Sequence, residues 1–392
     1  MGKALVTDRP VRVMTVFGTR PEAVKMAPLV KELERHPNVQ SLVCVTAQHR
    51  EMLDQVLKVF DITPDNDLDI MEPNQTLGTI TRKALAGLEE VIAQRQPDIV
   101  LVHGDTTTTF AAALAAFYQR VAVGHVEAGL RTYDKYSPYP EEMNRQLADV
   151  LADMYFAPTL WSAKNLWREG KPPESVYVTG NTAIDAMRTT VRREYRHPVL
   201  ERLPEGARIV YMTSHRRENL GAPLRHICEA ARALADRFPD VHVIYPVHLN
   251  PRVRETVFSI LGGHPRIHLL HPLGVVDNHN FMARAALILT DSGGIQEEAP
   301  TLGVPVLVLR DTTERPEGIA AGTLRLVGTD RQHIIAEAAR LLEDPRAYAD
   351  MACRTNPYGD GEASRRIVAA ILHRFTGAPR PTPFVHRPHR RA

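Results

Sequence analysis

The chain has 392 residues, of which 44% are hydrophobic and 24% are charged, and its formal net charge is +2. This composition is typical of a globular protein long enough for two domains, and the near-neutral charge gives no reason to expect nucleic acid or an anionic membrane as a partner. Three isolated cysteines argue against a disulfide framework, and neither a signal peptide nor an apolar run of membrane-spanning length is seen. We therefore expect a cytoplasmic protein.

Short β-branched runs alternate with stretches of helical periodicity through the first half of the chain. The first run is VRVMTVFG from Val11, and an amphipathic stretch follows at residues 23–34. The later runs, in chain order, are QSLVCVT, DIVLVHG, RVAVGHVEAG, DMYFAPT and SVYVTGN. Apolar runs this short, separated by helices, predict a parallel sheet that is buried on both faces.

The pattern weakens in residues 192–207, which are rich in charge and proline and are interpreted as a linker. It restarts with RIVYMTSH, DVHVIYPVH, RIHLLHPL, ALILTDS, VPVLVLR and TLRLVG. Two Rossmann-like, doubly wound α/β domains are the simplest assembly. The predicted boundaries are 1–192 for the first domain, 193–360 for the second, 361–376 for a C-terminal helix and 377–392 for a disordered basic tail, with a polyanion-binding arm as the alternative for that tail.

Unusual polar clusters follow the predicted strands in both domains. They are GTRPEAVK, TAQHREM, HGDTTTT, HVEAGLRT, TSHRRENLG and TDSGGIQEE. In doubly wound sheets, ligands bind outside the carboxyl ends of the strands. We therefore expect both domains to direct their chemistry at one cleft between them.

The segment TDSGGIQEE predicts a site for a nucleotide diphosphate. Ser292, Gly293 and Gly294 open a helix whose first amides have no partner within the helix, and the glycines let an anion approach the backbone. A carboxylate at Glu298 can accept two vicinal hydroxyls, as on a ribose. The alternative is a helix in which Glu297 and Glu298 only complement the dipole.

Three basic residues are candidates for binding the same diphosphate. Arg315 follows a predicted strand in DTTERPEG and can present a fork-shaped set of donors. Arg20 and Lys25 lie at the start of the first helix, in GTRPEAVK. The alternative for each of them is a solvated cation on the surface.

Several acids and one histidine are candidates for the reacting end of the ligand. Asp105 follows the strand IVLVH, and Thr106 can cap the next helix equally well, which favours a separate role for Asp105. Glu127 lies at an apolar strand end, so its carboxylate must be paired or have a shifted pKa. Glu141 starts a helix, where dipole stabilisation is the alternative. His215 follows a strand beside two arginines and can serve an anionic leaving group.

Other motifs are missing or unremarkable. His103 and His125 lie in strand-like runs and are interpreted as core histidines. The sequence lacks a Walker A motif, a well-placed G-x-G-x-x-G, H-E-x-x-H and G-x-S-x-G. This argues against an NTPase, a nicotinamide enzyme, a zinc peptidase and an α/β hydrolase.

Together these motifs resemble the non-hydrolysing UDP-N-acetylglucosamine 2-epimerases. The likeness runs from FGTRPEAVKMAPLV through VHGDTTTT, HVEAGLRTYDKYSPYPEEMNRQL and HRREN to TDSGGIQEEAPTLGVPVLVLRDTTERPEG and NPYGDG, which is nearly the whole chain. It implies two Rossmann-like domains in a GT-B-type arrangement, with the ligand cleft between them and the C-terminal helix packing back on the first domain. It also implies a homodimer that needs no metal or nicotinamide cofactor.

The resemblance implies reversible inversion at C2 of UDP-N-acetylglucosamine, giving UDP-N-acetylmannosamine. In this family UDP leaves by anti elimination, 2-acetamidoglucal forms, and UDP adds back. The positions that match the family's acid/base carboxylates are Asp105, Glu127 and Glu141, and His215 matches the histidine near the leaving diphosphate. The positions that match UDP-binding residues are Arg20, Lys25, Ser292, Gly294, Glu298 and Arg315. Gln48 and His49 match a pocket that binds a second UDP-N-acetylglucosamine as an activator in some members.

The chain departs from the family pattern in three places. Ser214 stands where a glycine usually precedes the histidine. Val275 and Asn278 stand near positions where the family has a tyrosine and a phenylalanine that help to hold the base. Asn74 replaces an arginine found in activator-requiring members, so we expect a weak activator requirement or none.

Three alternative functions share this fold or donor site. A hydrolysing epimerase would release free N-acetylmannosamine and UDP. A GT-B glycosyltransferase would need an acceptor pocket and a single base, and the set of three carboxylates argues against it. A non-catalytic sensor of UDP-sugars would bind UDP without exchanging the hydrogen at C2.

Overall fold

The computed structural model describes residues 9–48 and 50–387. These residues form two compact units. Unit 1 contains the described residues up to Arg188 together with Gly359–Val385, and unit 2 contains Thr189–Tyr358 with the residues that follow from His386. The chain thus changes unit four residues before the predicted boundary after residue 192, within a helix rather than in the charged segment.

Unit 1 is built on a parallel sheet with the order β3-β2-β1-β4-β5-β6-β7. Its strands in the described ranges are β1 (Val11–Phe17), β2 (Val39–Val45), β3 (Asn66–Asp67), β4 (Ile99–His103), β5 (Ala122–Val126), β6 (Met154–Ala157) and β7 (Val176–Val178). Every residue of β4 is buried, as expected of a central strand covered by helices on both faces. The carboxyl ends of the adjacent strands β4 and β5 therefore lie side by side.

Helices cover the sheet of unit 1. Their bounds are α1 (Arg20–Glu34), α2 (Arg50–Val59), α3 (Leu77–Arg95), α4 (Thr107–Tyr118), α5 (Glu141–Leu151), α6 (Leu160–Arg168) and α7 (Thr182–Thr190). A short 3₁₀ turn spans Pro173–Ser175. After the excursion through unit 2, the chain returns to unit 1 and packs its last helix, at Ala363–Thr376, against α1.

Unit 2 contains a second parallel sheet, with the order β10-β9-β8-β11-β12-β13. Its described strands are β8 (Arg208–Thr213), β9 (Val241–Pro246), β10 (Ile267–Leu270), β11 (Ala285–Thr290), β12 (Val306–Val308) and β13 (Leu324–Leu326). Apolar residues of β8, β9 and β11 form the centre of two hydrophobic clusters, one on each face of the sheet.

The helices of unit 2 follow its strands in alternation. Their bounds are α8 (Pro198–Glu201), α9 (Ala222–Arg237), α10 (Pro251–Leu261), α11 (Val275–Ala283), α12 (Gly293–Glu298), α13 (Pro316–Ala321), α14 (Arg331–Glu343) and α15 (Pro345–Ala352), and α16 is the helix at Ala363–Thr376 already described in unit 1. Two 3₁₀ turns span Arg217–Asn219 and Ala299–Leu302. The one-turn helix α8 falls inside the segment interpreted as a linker.

Residues 377–387 differ from the disordered tail expected from the sequence. The Phe384 amide donates to the Val178 carbonyl at 2.8 Å, and the Phe384 side chain is buried. The guanidinium of Arg380 lies 4.3 Å from the ring centroid of Tyr177 and donates to the Val176 carbonyl at 2.9 Å. A buried ring and a cation–π contact hold this segment along strand β7. Residues 388–392 of the predicted tail lie outside the described residues.

The prediction of two doubly wound α/β folds is confirmed by the two parallel sheets and their alternating helices. The sequence did not predict β3, which has only two residues. In the part of the chain that the structure describes, none of the helices combines the length and apolar character needed to cross a bilayer.

Candidate active site

Glu127 directly follows β5, and its backbone has a φ of 65°, in the left-handed region. Its side chain is only 9% exposed, and its Oε2 lies 2.5 Å from Lys25 Nζ and accepts a hydrogen bond from Asn181 Nδ2 at 3.0 Å. Burial alone would raise the pKa of Glu127, but Lys25 and His103 together hold it well below its usual value. The sequence predicted that this carboxylate must be paired or have a shifted pKa. It is paired with Lys25, and its pKa is shifted as well.

His103 is the last residue of β4 and faces the same carboxylate. Its Nε2 lies 3.6 Å from Glu127 Oε2, and the ring is buried. Among the described residues, neither ring nitrogen of His103 has a hydrogen-bond partner within range. The interpretation of His103 as a core histidine holds for its burial, but the ring also contributes to the electrostatic environment of Glu127.

Asp105 follows β4 after one glycine, and its carboxylate does not cap the next helix. Thr106 is the N-cap of α4 and accepts a hydrogen bond from the Thr109 amide at 3.1 Å. Asp105 Oδ2 instead lies 2.5 Å from Arg145 Nη2, and its carbonyl accepts from Asn144 Nδ2 at 3.0 Å. The separate role predicted for Asp105 is therefore consistent with its contacts, and a cation on α5 holds it in place.

Glu141 and Glu142 begin α5 but have different environments. Glu142 is fully buried and accepts from the amides of Thr132 and Tyr133, each at 3.0 Å, so it fixes the preceding loop. Glu141 Oε2 is shielded from solvent and has no hydrogen-bond partner in the described part of the chain. Glu141 and Arg145 are one turn apart on the same helix face, which places Glu141 on the side of α5 that meets Asp105.

The start of α1 is tied to the start of α4 by Glu22, a residue that the sequence reasoning missed. One carboxylate oxygen of Glu22 accepts from the Thr19 amide at 2.8 Å, and the other accepts from Thr106 Oγ1 at 2.6 Å. Glu22 thus makes its half of a capping box with the Thr19 amide, for which the T-x-x-E spacing in GTRPE is the sequence signal. Arg20 and Lys25, the predicted phosphate ligands, lie on this anchored helix.

In unit 2, His215 follows β8, and its loop is organised by Asp291, which the sequence reasoning also missed. Asp291 is fully buried, and its Oδ2 accepts from the amides of His215 and Arg216 and from Asn219 Nδ2, each at 2.9 Å. The Ser214 hydroxyl adds a fourth bond at 3.0 Å. Asp291 Oδ1 has no hydrogen-bond partner among the described residues and lies 3.5 Å from His215 Nδ1.

The His215 ring is stacked and partly exposed. It lies parallel to the ring of His248, with centroids 5.4 Å apart and an interplanar angle of 9°. Burial lowers the pKa of His215, Asp291 opposes that shift, and His248 and Arg216 lower it further. The ring is therefore held neutral to lower pH than an exposed histidine would be.

The segment predicted to bind diphosphate begins α12. A Cβ built on Gly293 would lie 3.0 Å from Arg315 Cζ, so a larger residue there would require that guanidinium to shift by a few tenths of an ångström. Beside Gly294 the space is open, because a Cβ there would meet only Glu298 Oε1, at 3.9 Å. Ser292 is the N-cap residue, although its side chain forms no capping bond. The glycines, Arg315 and Glu298 thus come together in unit 2.

The two acids of α12 have separate partners. Arg315 donates from Nε to Glu297 Oε1 at 3.0 Å. Glu298 is 11% exposed, and its Oε2 lies 3.4 Å from His279 Nε2. His279 Nδ1 in turn lies 2.6 Å from Thr190 Oγ1. Glu297 therefore acts as a counter-ion for Arg315, whereas Glu298 borders the open space beside Gly294.

A protein-family model described as UDP-N-acetylglucosamine 2-epimerase matches residues 31–372. The chain belongs to the UDP-N-acetylglucosamine 2-epimerase family. A UDP-N-acetylglucosamine 2-epimerase of Bacillus subtilis (strain 168) is 59% identical over 367 residues, which cover 94% of this chain and 96% of the relative. UDP-N-acetylglucosamine 2-epimerase activity is the function that this membership supports.

Solved structures of similar proteins contain nucleotides. An S. aureus protein solved with UDP is 53% identical, with a TM-score of 0.89, and covers 96% of this chain and 100% of its own. A UDP-GlcNAc 2-epimerase of Neisseria meningitidis, solved with UDP-GlcNAc, is 50% identical with a TM-score of 0.85, and covers 92% of this chain and 100% of its own. Family membership thus supports UDP-sugar binding.

The residues that depart from the epimerase pattern are accommodated within unit 2. The Ser214 side chain is buried, and its hydroxyl donates a hydrogen bond to Asp291. Val275 is buried at the start of α11. Asn278 Oδ1 accepts from the Tyr211 hydroxyl at 2.6 Å. Each departing side chain is therefore part of the packing of its own unit.

The residues matched to the activator pocket lie in unit 1. Gln48 Oε1 accepts from Thr108 Oγ1 at 3.2 Å, and the Gln48 carbonyl accepts from Gln75 Nε2 at 3.3 Å. Asn74 is exposed, with a φ of 55°. His49 lies outside the described residues. Gln48 is thus fixed beside the start of α4, and the neutral Asn74 lies one residue before Gln75.

Proposed function

We propose that the chain is a non-hydrolysing epimerase that interconverts UDP-N-acetylglucosamine and UDP-N-acetylmannosamine. The observation that supports this most is the pair of carboxylates at the ends of the adjacent strands β4 and β5. Asp105 is held by Arg145, and Glu127 is held by Lys25. A cation beside each carboxylate fixes it in position, as a proton-transfer group requires, and Lys25 also helps to keep Glu127 ionised.

The reaction proceeds by elimination and readdition. A carboxylate takes the proton from C2, the C1–O bond breaks with its electrons passing to the UDP oxygen, and the C1–C2 double bond of 2-acetamidoglucal forms. The diphosphate oxygen then adds back at C1, and a proton is returned to the opposite face of C2. The hydrogen at C2 is barely acidic, so its removal must be coupled to stabilisation of the departing UDP.

Unit 1 supplies the proton-transfer groups. The low pKa of Glu127 keeps its carboxylate ionised at neutral pH, which is the form that can accept the proton from C2. Asp105 and Glu141 lie around the first turns of α5 and complete the set of acids. A proton is removed from one face of C2 and returned to the opposite face, so the reaction needs a proton-transfer group on each face and hence more than one carboxylate.

Unit 2 binds the UDP part. Arg315, Ser292, Gly293 and Gly294 provide cationic and amide donors for the diphosphate, and Glu298 accepts the ribose hydroxyls. Arg20 adds a further cation from the start of α1. His215 meets the leaving diphosphate, whose negative charge favours the protonated ring and so allows it to donate a hydrogen bond.

The test is proton NMR of UDP-N-acetylglucosamine incubated with the enzyme in heavy water. Product and recovered substrate should both gain deuterium at C2, and the product should remain attached to UDP. Glu127→Gln should nearly abolish turnover, while Glu34→Gln, an exposed acid on α1, should leave it intact. Free N-acetylmannosamine would indicate the hydrolysing reaction, and UDP binding without exchange at C2 would indicate a sensor.

We also propose that the enzyme is a cytoplasmic homodimer. Several large apolar side chains of unit 1 are more than half exposed in the single chain, and an interface would shield them. They are Phe117, Tyr118, Val150 and Trp161, on α4, α5 and α6. Light scattering after size exclusion should give twice the chain mass of 43.8 kDa.

A further inference from the structure

His125 lies in β5 and is completely buried, and both of its ring nitrogens contact acceptors. Nε2 lies 2.7 Å from the Gly104 carbonyl oxygen, and Nδ1 lies 2.6 Å from Asp149 Oδ1. A backbone carbonyl can only accept, so Nε2 must carry a hydrogen. The protonation of Nδ1 then depends on the state of Asp149.

Asp149 is an ionised carboxylate. Its Oδ2 accepts from Arg131 Nη2 at 2.7 Å and from the Gly129 amide at 3.3 Å. Burial alone would raise the pKa of Asp149, but His125 and Arg131 hold it below its usual value. An ionised carboxylate can only accept, so Nδ1 of His125 must carry a hydrogen as well.

Arg131 keeps a cation beside the buried carboxylate. The Arg131 side chain is shielded from solvent and donates from Nη2 to Asp149 Oδ2 and from Nε to Glu169 Oε1, each at 2.7 Å. Glu169 is partly exposed, so water also stabilises its charge. Because arginine stays protonated in proteins, the completely buried Asp149 carboxylate has a permanent cation next to it, which favours its ionised state.

We infer that His125 is a buried imidazolium that positions the carboxylates of the proton-transfer site. This inference rests on the proposed function, because it assigns a purpose to the placement of Asp105 and Glu127. Both ring nitrogens of His125 are occupied by Asp149 and Gly104, so neither is available to contact a ligand beside those carboxylates. It is therefore a positioning residue.

Gly104 is the point through which His125 acts on both strands. The Gly104 amide donates to the Val126 carbonyl at 2.9 Å, while its own carbonyl accepts from His125. Asp105 follows Gly104 directly, and Glu127 follows Val126 directly. Two hydrogen bonds across one residue thus set the spacing of the two strand ends from which the carboxylates project.

Asp149 extends the same control to α5. One turn before it on this helix is Arg145, which contacts Asp105, and one turn earlier is Glu141. The bond between His125 and Asp149 therefore fixes the helix that bears the third carboxylate against the ends of β4 and β5. A single ring links the three elements that carry Asp105, Glu127 and Glu141.

His125→Phe is the direct test, because it keeps an aromatic ring and removes both hydrogen bonds. We expect kcat to fall by at least about tenfold, with KM and the Kd of UDP changed by no more than about twofold, since the UDP-binding groups proposed in unit 2 are untouched. His226→Phe, an exposed histidine on α9, is the matched control. A kcat within about twofold of the parent value would overturn the inference.

Asp149→Asn separates charge from geometry. Its amide can donate to Nδ1 of a neutral ring, so both contacts of His125 survive without a charge on the ring or on residue 149. We expect kcat within about fivefold of the parent value, well above that of His125→Phe. His125→Gln keeps a donor for the Gly104 carbonyl, so its kcat should lie between those of Asp149→Asn and His125→Phe. It serves as the second variant if His125→Phe does not fold.

Nitrogen-15 NMR of the histidine-labelled protein gives a readout independent of activity. The resonances of His125, identified by their loss in His125→Gln, should show two protonated ring nitrogens at about pH 7.5, and those in Asp149→Asn should show one. A singly protonated ring in the parent protein would overturn the inference. If Asp105→Asn and Glu127→Gln retained full turnover, the proposed function would fail instead, and the protonation state would still be measured.

Discussion

At the scale of single residues, the pairing of Lys25 with Glu127 determines the pH at which the proposed base is available. Burial raises the pKa of Glu127, and the charge of Lys25 is the largest influence that lowers it. Lys25→Met removes that charge, so the pKa of Glu127 should rise. The acid limb of the kcat profile, measured at saturating substrate between about pH 5 and pH 9, should move to higher pH.

The control for this variant is Lys31→Met, since Lys31 lies near the end of the same helix and pairs with Glu34. Its profile should coincide with that of the parent enzyme. An acid limb that stays in place in Lys25→Met would show that Glu127 does not limit the reaction in acid.

His215 should couple UDP binding to proton uptake. Burial holds its pKa below the usual value in the free protein, and the negative diphosphate should raise it again. UDP affinity should therefore increase as pH falls from about 7.5 to 5.5, by a larger factor than in His215→Gln. Calorimetry in buffers of different ionisation enthalpy measures the number of protons taken up on UDP binding. UDP itself also titrates in this pH range, but that contribution is the same for the parent protein and for His215→Gln and cancels in the comparison.

His226→Gln, which replaces an exposed histidine in the same unit, should behave like the parent protein in these titrations. Equal proton uptake by the parent protein and by His215→Gln would contradict the assignment of His215 to the diphosphate.

The sequence predicted that a buried acid needs a partner better than it predicted which residues the partners are. An acid at an apolar strand end had to be paired, and Glu127 is. Its partners Lys25 and Asn181 lie 102 and 54 residues away along the chain, and local spacing contains no signal for such pairs. Asp291 was missed for the same reason, because its role depends on a loop 72 to 77 residues earlier.

At the scale of elements, Thr106 joins two helix starts. Its hydroxyl accepts from the Thr109 amide and donates to Glu22, which caps α1. Thr106→Ala should lower the free energy of unfolding by about 2 kcal/mol, the upper end for an N-cap, because a buried carboxylate also loses a donor. Urea denaturation followed by fluorescence measures this.

Thr76→Ala provides the comparison, because Thr76 is an exposed N-cap of α3 whose hydroxyl contacts, among the described residues, only the amide and hydroxyl of Thr79. We expect Thr76→Ala to lower the free energy of unfolding by about 1 kcal/mol. Equal losses in the two variants would mean that the bond to Glu22 adds nothing to the cap.

Element types followed from periodicity, while the exceptions arose from contacts. The strands are apolar runs flanked by turn residues, so their positions were readable. β3 has two residues and pairs with β2 only at Cys44 and Val45, too short to leave a pattern. The charged segment contains the single turn α8, and Phe384 orders a segment whose composition alone predicts disorder.

At the scale of the whole molecule, the groups with shifted pKa values are unevenly divided. Among the described residues, the histidines whose pKa is lowered are His215, His242 and His268, all in unit 2, and burial is the main cause for each. The largely buried acids whose pKa is lowered, Glu127 and Asp149, lie in unit 1. The two units should therefore respond to acid in different pH windows.

Both kinds of group lose stability as pH falls, but they do so in different pH ranges. A histidine whose folded pKa is lowered takes up a proton on unfolding, so unit 2 loses stability as pH falls below the unfolded value of about 6.5. An acid whose folded pKa is lowered adds stability that is lost only below its unfolded value of about 4. Burial raises the pKa of Asp185 in unit 1, so the contribution of this residue to the stability of unit 1 increases as pH falls.

Lowering the pH from about 7 to about 5.5 should thus destabilise unit 2 more than unit 1. The chain has two tryptophans, Trp161 and Trp167, and both lie in unit 1, so their fluorescence reports that unit, while circular dichroism reports both. The urea midpoint from circular dichroism should fall with pH more than the midpoint from tryptophan fluorescence. In His268→Asn the difference should shrink, because the variant lacks one of the three histidines of unit 2 whose pKa is lowered. Identical shifts by the two signals would contradict the division of these groups between the units.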